Sequence, residues 1–102
     1  MSIKVTVTWN RPSADVPWFN FNDHPDGMSV INNAVSSGKV FRFFDRVDSL
    51  TAKSEMMFES QEIADEIRLH PAVQSMYAAR DAYFAANGIT MSMELDKNFQ
   101  QT

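Results

Sequence analysis

The sequence predicts an α+β fold in which a four-stranded antiparallel sheet carries its helices on one face. Three segments alternate apolar and polar residues with the period of two that is typical of strands, and a fourth, rich in phenylalanine, has large apolar residues on both faces of a strand. Further segments repeat apolar residues with the period of a helix. Their order along the chain is β-α-β-β-α-β. The 102 residues suffice for one globular domain with a single core. We therefore expect residues 1–102 to form one domain, with residues 97–102 as a frayed polar tail.

The first predicted strand, Ile3–Trp9, places its isoleucine, valines and tryptophan on one face. The next segment, residues 10–27, contains three prolines, which predict a loop. It also carries three large aromatic residues, Trp18, Phe19 and Phe21. We expect these rings either to cap the edge of the core or to form a lid over a pocket.

The first predicted helix spans Asp26–Ser37, and Gly38 ends it. Its apolar stripe is formed by Met28, Ile31, Ala34 and Val35. The side chain of Asp23 or Asp26 could accept hydrogen bonds from the first free N–H groups of this helix. That capping role explains the acidic residues around His24 better than a metal site does, because a chain with two histidines would need distant acids to complete the ligand set.

Two strands follow, Lys39–Val47 and Leu50–Glu59. In the first, Val40 and Phe44 face one side of the sheet and Phe41, Phe43 and Val47 face the other. Large apolar residues on both faces indicate burial on both faces. Since the chain has helices for only one side, a second copy of the same chain is the expected cover, which predicts a homodimer.

Ser60 is the expected cap of the next helix, in which Ile63 and Ile67 face inward. The sequence His70-Pro71 predicts a break, because the residue before a proline disfavours the helical conformation. The longest helix, Pro71–Asn87, then carries Arg80 within its apolar stripe. Arg80 could pack its stem on the core and pair with an acid, or it could point into a cavity and bind an anionic group.

The last predicted strand is Ile89–Leu95, whose apolar face should pack against the helices together with that of the first strand. The complete order matches the split-βαβ, ferredoxin-like pattern. Net charge is −4, and the third strand lacks the aromatic pattern of RNA-binding sheets, so a nucleic-acid partner is not expected. The absence of cysteine, of a signal peptide and of a long apolar run predicts a cytoplasmic protein with no membrane partner.

In length and topology the chain resembles the dimeric α+β barrel proteins, which include antibiotic-biosynthesis monooxygenase-like and stress-responsive A/B-barrel proteins. The stretches that carry the resemblance are IKVTVTW at the start and SQEIADEIRLHPAVQSMYAARDAYF before the last strand. The resemblance implies two sheets packed face to face across a two-fold axis and a small-molecule pocket between each sheet and its own helices. Some members oxidise aromatic substrates without a cofactor or degrade haem. In these, Asn10 and either His70 or Arg80 would match catalytic positions, whereas the third strand offers Phe58 and no tryptophan.

The predicted pocket suits an elongated apolar or amphiphilic molecule with an acid group, for example a fatty acid. Its expected lining is Arg80, Tyr77, Tyr83, Met76, Trp9, Phe43, Phe58 and Met91. No cofactor is expected. Two alternatives stay open: a cofactor-free monooxygenase-like or isomerase-like enzyme that uses Asn10, His70 or Tyr77, and a dimeric interaction module without a ligand.

Overall fold

The computed structural model describes residues 2–96, so the predicted tail at residues 97–102 lies outside the described part of the chain. Seven helices and strands follow one another, together with a short 3₁₀ turn at Phe21–Asp23. They are β1 (Ile3–Asn10), α1 (Pro25–Ser36), β2 (Val40–Arg46), β3 (Thr51–Phe58), α2 (Gln61–Arg68), α3 (Pro71–Asn87) and β4 (Thr90–Asp96). The predicted break before Pro71 is confirmed, since α2 and α3 are separate helices.

The sheet has the strand order β2-β3-β1-β4, and every neighbouring pair is antiparallel. The fold class predicted from the sequence is therefore confirmed. Trp9 lies opposite Ala52 on β3 and Met91 on β4. Because residues opposite one another point to the same face, the apolar residues of β1 share a face with alternate residues of β2, β3 and β4. This is the face that carries the helices.

The core between the helices and the sheet consists of two clusters of buried residues. The larger cluster joins Ile3 and Phe58 of the sheet to residues of all three helices, among them Val73 and Met76. The smaller cluster surrounds Trp9 and includes Phe84 of α3. The aromatic rings of the loop after β1 pack against this smaller cluster and so cap the core. This is one of the two arrangements that the sequence predicts for them.

Helix ends follow the chemistry expected from the sequence at three of the sites considered. The hydroxyl oxygen of Ser60 accepts a hydrogen bond from the Ile63 N–H at 3.3 Å. Gly88 adopts a φ of 70° just after α3, a left-handed conformation that favours glycine. Gly38 does the same after α1, with a φ of 76°.

The capping prediction for α1 is wrong. No side chain accepts a hydrogen bond at its N-cap position, which is His24. Instead α1 begins at Pro25, which has no N–H to satisfy and whose fixed φ suits the first turn of a helix. The neighbouring Asp23 accepts a long 3.4 Å hydrogen bond from Asn20 in the 3₁₀ turn.

Helices α1 and α3 approach each other closely at Gly27. A Cβ atom at this position would lie 2.9 Å from the carbonyl oxygen of Ala72 and 3.0 Å from Cβ of Met76. Carbon atoms in good van der Waals contact are about 3.5–4.0 Å apart, so only glycine fits here. This contact fixes the spacing of the two helices that lie above the sheet.

The expectation that β4 packs against the helices is wrong within one chain. Its apolar residues Met91, Met93 and Leu95 do point to the helix side, because they lie opposite Trp9, Val7 and Val5. Met93 is nevertheless 57% exposed, and Leu95 is similarly exposed. The physical reason is that α1 and α3 pack against each other over the other strands, which leaves this edge strand uncovered among the described residues.

Strand β2 is predicted to be covered on one face by the helices and on the other by a second copy of the chain, and within one chain only Phe44, on the helix side, differs from this prediction. Phe41 and Phe43 on the side away from the helices, and Phe44 on the helix side, are all about half exposed in the single chain. Only Val40 of this strand is fully buried.

In the described part of the chain, no helix is both long enough and apolar enough to cross a membrane.

Candidate ligand-binding site

A cavity of about 240 Å³ lies between the sheet and the helices. Its floor is formed by residues on the helix-facing side of three neighbouring strands: Val7, Trp9, Ser54, Met56, Arg42 and Phe44. Its roof is formed by Phe21 of the 3₁₀ turn, Met28 and Ile31 of α1, and Tyr77 and Arg80 of α3. The cavity is mostly apolar, and its polar side chains converge from opposite walls, as is typical of small-molecule sites.

Arg80 is the most unusual of these residues, since its side chain is charged and the residue is only 8% exposed. Its Nε and Nη2 atoms each lie 3.0 Å from Oδ1 of Asp81. Its guanidinium carbon lies over the ring of Tyr77, 4.4 Å from the ring centroid. The Asp81 side chain is 60% exposed, so this ion pair is formed between a buried cation and a solvated anion. Arg80 thus lines the cavity and pairs with an acid at the same time.

The ionisable side chains of the cavity wall are Arg42, Tyr77 and Arg80, and none of the lining residues is acidic. Burial raises the pKa of Tyr77 above its ordinary value of 10.0, and the nearby charges of Arg80 and Arg42 oppose this rise only in part. Tyr77 is therefore a neutral phenol at pH 7 and can donate a hydrogen bond. The wall is positively charged although the whole chain carries a net charge of −4.

Trp9 supplies a further donor at the cavity floor. The residue is 7% exposed, and its indole Nε1 is buried with no hydrogen-bond partner among residues 2–96. Buried N–H groups are nearly always paired, and an unpaired one costs about 1–3 kcal/mol. This indole therefore lies beside a cavity whose other polar side chains are the donors Arg42, Arg80 and Tyr77 and the hydroxyl of Ser54, which can donate and accept.

Of the eight binding residues expected from the sequence, the structure brings Trp9, Tyr77 and Arg80 together in this cavity. Met76 and Phe58 lie in the larger core cluster. The hydroxyl of Tyr83 donates to the carbonyl oxygen of Pro17 at 2.5 Å and so fixes the loop after β1 to α3.

The other two residues of that set lie at the edges of the sheet. Phe43 is 58% exposed on the face away from the helices, and Met91 lies on the uncovered strand β4. The alternation of β2 explains the position of Phe43. Arg42 and Phe44 share the face of the buried Val40, so these residues line the cavity and Phe43 cannot. In the sequence, Arg42 stands at the alternate position between Val40 and Phe44, so strand alternation could have placed it on their face of the sheet.

The two candidate catalytic residues lie outside this cavity. Oδ1 of Asn10 accepts a hydrogen bond from the Thr51 hydroxyl at 2.9 Å, at the exposed end of β1. Nδ1 of His70 accepts a hydrogen bond from the Ala72 N–H at 3.1 Å and thereby caps α3. His70 borders a separate groove that is lined by α1 and α2. Among residues 2–96 no three histidine or acidic side chains are arranged to hold a metal ion.

No protein-family model matches the sequence, and no curated protein matches it either. Solved structures do match. A variant of SnoaB, a cofactor-independent oxygenase from Streptomyces nogalater, superimposes with a TM-score of 0.61 at 7% identity, over 98% of this chain and 95% of that chain. Rv0793 from Mycobacterium tuberculosis gives a TM-score of 0.62 at 10% identity, over 97% of both chains. At3g17210 from Arabidopsis thaliana gives 0.56 at 15% identity, over 98% of both chains.

These matches span nearly the whole of each chain, while the identities are too low to transfer an activity. They agree with the strand order and with the placement of the helices on one face of the sheet. The chain therefore has the ferredoxin-like α+β fold of the antibiotic-biosynthesis monooxygenase-like, dimeric α+β barrel proteins.

Proposed function

We propose that this protein binds a compact, mostly apolar anion in the cavity between its helices and its sheet. The observation that carries the proposal is the composition of the cavity wall, which contains two arginines and a neutral tyrosine and no acidic residue among its lining residues. Such a wall favours a ligand that presents a carboxylate or a similar group on an apolar body.

The volume of the cavity narrows the class of ligand. At about 240 Å³ it lies just below the range of roughly 300–1,000 Å³ that is usual for drug-sized ligands. A ligand with one or two rings fits this space. A long-chain fatty acid, as expected from the sequence, would have to extend beyond the cavity mouth. We therefore propose an aromatic carboxylate as the best representative, with benzoate and 2-naphthoate as probes.

Each donor has a role in this arrangement. The contacts of Arg80 with Asp81 use Nε and Nη2, which leaves the N–H groups of Nη1 for a ligand carboxylate. Planar guanidinium groups match carboxylates well in geometry and charge. The Tyr77 hydroxyl can donate to the other oxygen atom of the carboxylate, while the Trp9 ring contributes apolar wall. Arg42 lies at the exposed edge of the sheet, where its charge attracts an anion to the cavity.

The experiment is a calorimetric titration of 2-naphthoate into wild-type protein and into the Arg80→Met variant. Methionine keeps much of the apolar length of arginine and removes the charge. A lost charge-assisted hydrogen bond corresponds to about 1.5–3 kcal/mol, so the variant should bind roughly 10- to 150-fold more weakly. Arg68→Met on α2 is the matched control, because Arg68 is exposed and far from the cavity lining. Equal affinity in Arg80→Met and wild type would refute the proposal.

We also propose that the protein is a homodimer in which two sheets pack through the face away from the helices. The proposal is supported by two large apolar residues on that side, Phe41 and Phe43, which are about half exposed in one chain, and by Val47, which follows β2 and is similarly exposed. Beside them, Lys4 and Lys53 both contact Glu55, at 3.6 and 3.3 Å. Asp45, Glu94 and Asp96 lie on the same face by strand alternation, so a second copy should cover chiefly the phenylalanine side of the sheet.

Sedimentation velocity at micromolar concentration tests the dimer. Wild-type protein should sediment as a dimer, and Phe43→Lys should shift the distribution to monomer. Leu69→Lys is the matched control, since Leu69 is similarly exposed but lies at the end of α2. A folded wild-type monomer under these conditions would overturn the proposal.

Of the residues named for a cofactor-free enzyme, Asn10 and His70 are engaged in hydrogen bonds outside the cavity, whereas Tyr77 and Arg80 line it. Binding of the ligand needs neither Asn10 nor His70. A cytoplasmic location remains a prediction that rests on the sequence.

A further inference from the structure

A second, smaller cavity of about 70 Å³ lies beside the first. The two cavities share three wall residues, Trp9, Phe21 and Phe44. The smaller one is closed by residues of the loop after β1, above all Trp18, and by Arg46 at the end of β2. We refer to it as the side cavity.

The loop that closes the side cavity is held in place by its own contacts. Arg11 donates from Nε to the Ser49 carbonyl oxygen at 2.7 Å and from Nη1 to the Val16 carbonyl oxygen at 2.9 Å. Its guanidinium carbon lies 4.8 Å from the centroid of the Trp18 ring, and that of Arg46 lies 5.9 Å from the same centroid. The Trp18 ring is thus in contact with two cations, and one of them, Arg11, is hydrogen-bonded to the backbone at Ser49 and at Val16. These contacts hold the wall of the side cavity in place.

The donors of the side cavity are its distinguishing feature. The indole Nε1 atoms of Trp9 and Trp18 are both buried, and neither has a hydrogen-bond partner among residues 2–96. Both rings line this cavity, and Arg46 adds a guanidinium. The remaining lining residues are alanine and phenylalanine, so no lining side chain can accept a hydrogen bond. A buried donor without a partner is destabilising, so the two indoles favour an acceptor in this space.

We infer that the side cavity is a separate subsite for a compact anion of the size of a carboxylate group. A volume of about 70 Å³ equals the liquid volume of about two water molecules, which also accommodates a carboxylate with its methyl group. The anion receives hydrogen bonds from both indoles and is attracted by the charge of Arg46. Its source is either a free small carboxylate or a second carboxylate of the ligand in the main cavity, since the two cavities share a wall.

The experiment uses the fact that Trp9 and Trp18 are the only two tryptophans of the sequence. A ¹H–¹⁵N spectrum of the labelled protein therefore contains two indole cross-peaks, and Trp18→Phe assigns them. Sodium acetate is titrated at constant ionic strength against sodium chloride as the free-anion probe. 2,6-Naphthalenedicarboxylate is the probe for a ligand-borne carboxylate, with 2-naphthoate as its matched one-carboxylate control.

The expected result is a saturable downfield shift of both indole protons. A response to acetate identifies a free anion as the source, and a response to the dicarboxylate alone identifies a ligand-borne one. Arg46→Gln should raise the midpoint about tenfold by removing the charge, whereas Arg68→Gln should leave it unchanged. In Trp18→Phe, the shift of the remaining Trp9 proton should also need more anion.

The inference fails if neither probe moves the indole protons in a saturable way. It also fails if the indole protons show nuclear Overhauser cross-peaks only to water, which would identify ordered water as the acceptor. A failure of the main cavity is distinguishable, because the acetate response of the indoles should persist in Arg80→Met. Loss of 2-naphthoate binding with an intact acetate response would leave the side cavity established on its own.

Discussion

The close contact of α1 and α3 at Gly27 gives a quantitative prediction for the Gly27→Ala variant. The added methyl group would meet a backbone carbonyl at 2.9 Å and the Cβ and Sδ atoms of Met76 at 3.0 Å. These contacts are about 0.5–1 Å too short, and the carbonyl of Ala72 belongs to the first turn of α3, so it cannot move without the helix. Overpacking of this kind costs about 1–3 kcal/mol, while alanine regains up to about 1 kcal/mol in helix propensity.

The expected net effect is a loss of about 1–2 kcal/mol in the free energy of unfolding, or a fall in Tm of about 5–15 °C for a domain of this size. Urea unfolding followed by circular dichroism measures it. Ser29→Ala, on the exposed side of the same helix, is the control and should change stability by less than about 0.5 kcal/mol. Because α1 and α3 form the cavity roof, Gly27→Ala should also weaken the binding of 2-naphthoate. A variant as stable as wild type would refute the claim that this glycine sets the spacing of the helices.

Three further predictions concern single side chains. Because the pKa of Tyr77 is raised, the folded chain holds the phenol proton more tightly than the unfolded chain does, and the free energy of unfolding should fall as pH rises above about 10. Urea titrations at pH 9 and pH 11 measure this fall, which should be smaller in Tyr77→Phe than in wild type. Met76→Ala removes a fully buried side chain and should lower the free energy of unfolding by about 2–5 kcal/mol, whereas Met93→Ala on the uncovered strand should change it far less in urea unfolding. His70→Ala removes the cap of α3 and should lower the free energy of unfolding by about 1 kcal/mol in the same assay, while the calorimetric affinity for 2-naphthoate stays unchanged. A large loss of affinity would show that His70 contributes to the binding site.

Much of the fold could be predicted from the sequence because the relevant signals are local. Strand alternation, the proline at the break before α3 and the glycine after it each act over a few neighbouring residues. The apolar stripe of α3 likewise placed Arg80 on the helix face that packs on the core, while the sequence left open whether its side chain reaches water, pairs with an acid or enters a cavity. The same local chemistry misled at α1, where Pro25 rather than an aspartate begins the helix.

The composition of the site depended on contacts between distant parts of the chain. The register of β2 against β3 decided that Arg42 and Phe44, and not Phe43, face the cavity. The path of the loop after β1 decided that Phe21 closes the cavity roof and that Trp18 approaches Trp9 across the side cavity.

The sequence by itself thus determined the α+β class and the position of one arginine within the apolar stripe of the longest helix, because both follow from periodicities of two and 3.6 residues. Only the tertiary structure decided what surrounds that arginine. The packing of α1 on α3 through Gly27 leaves β4 outside the core and encloses a space whose walls come from six different segments. No single segment predicts such a space, since each wall residue taken with its sequence neighbours resembles an ordinary core or surface residue.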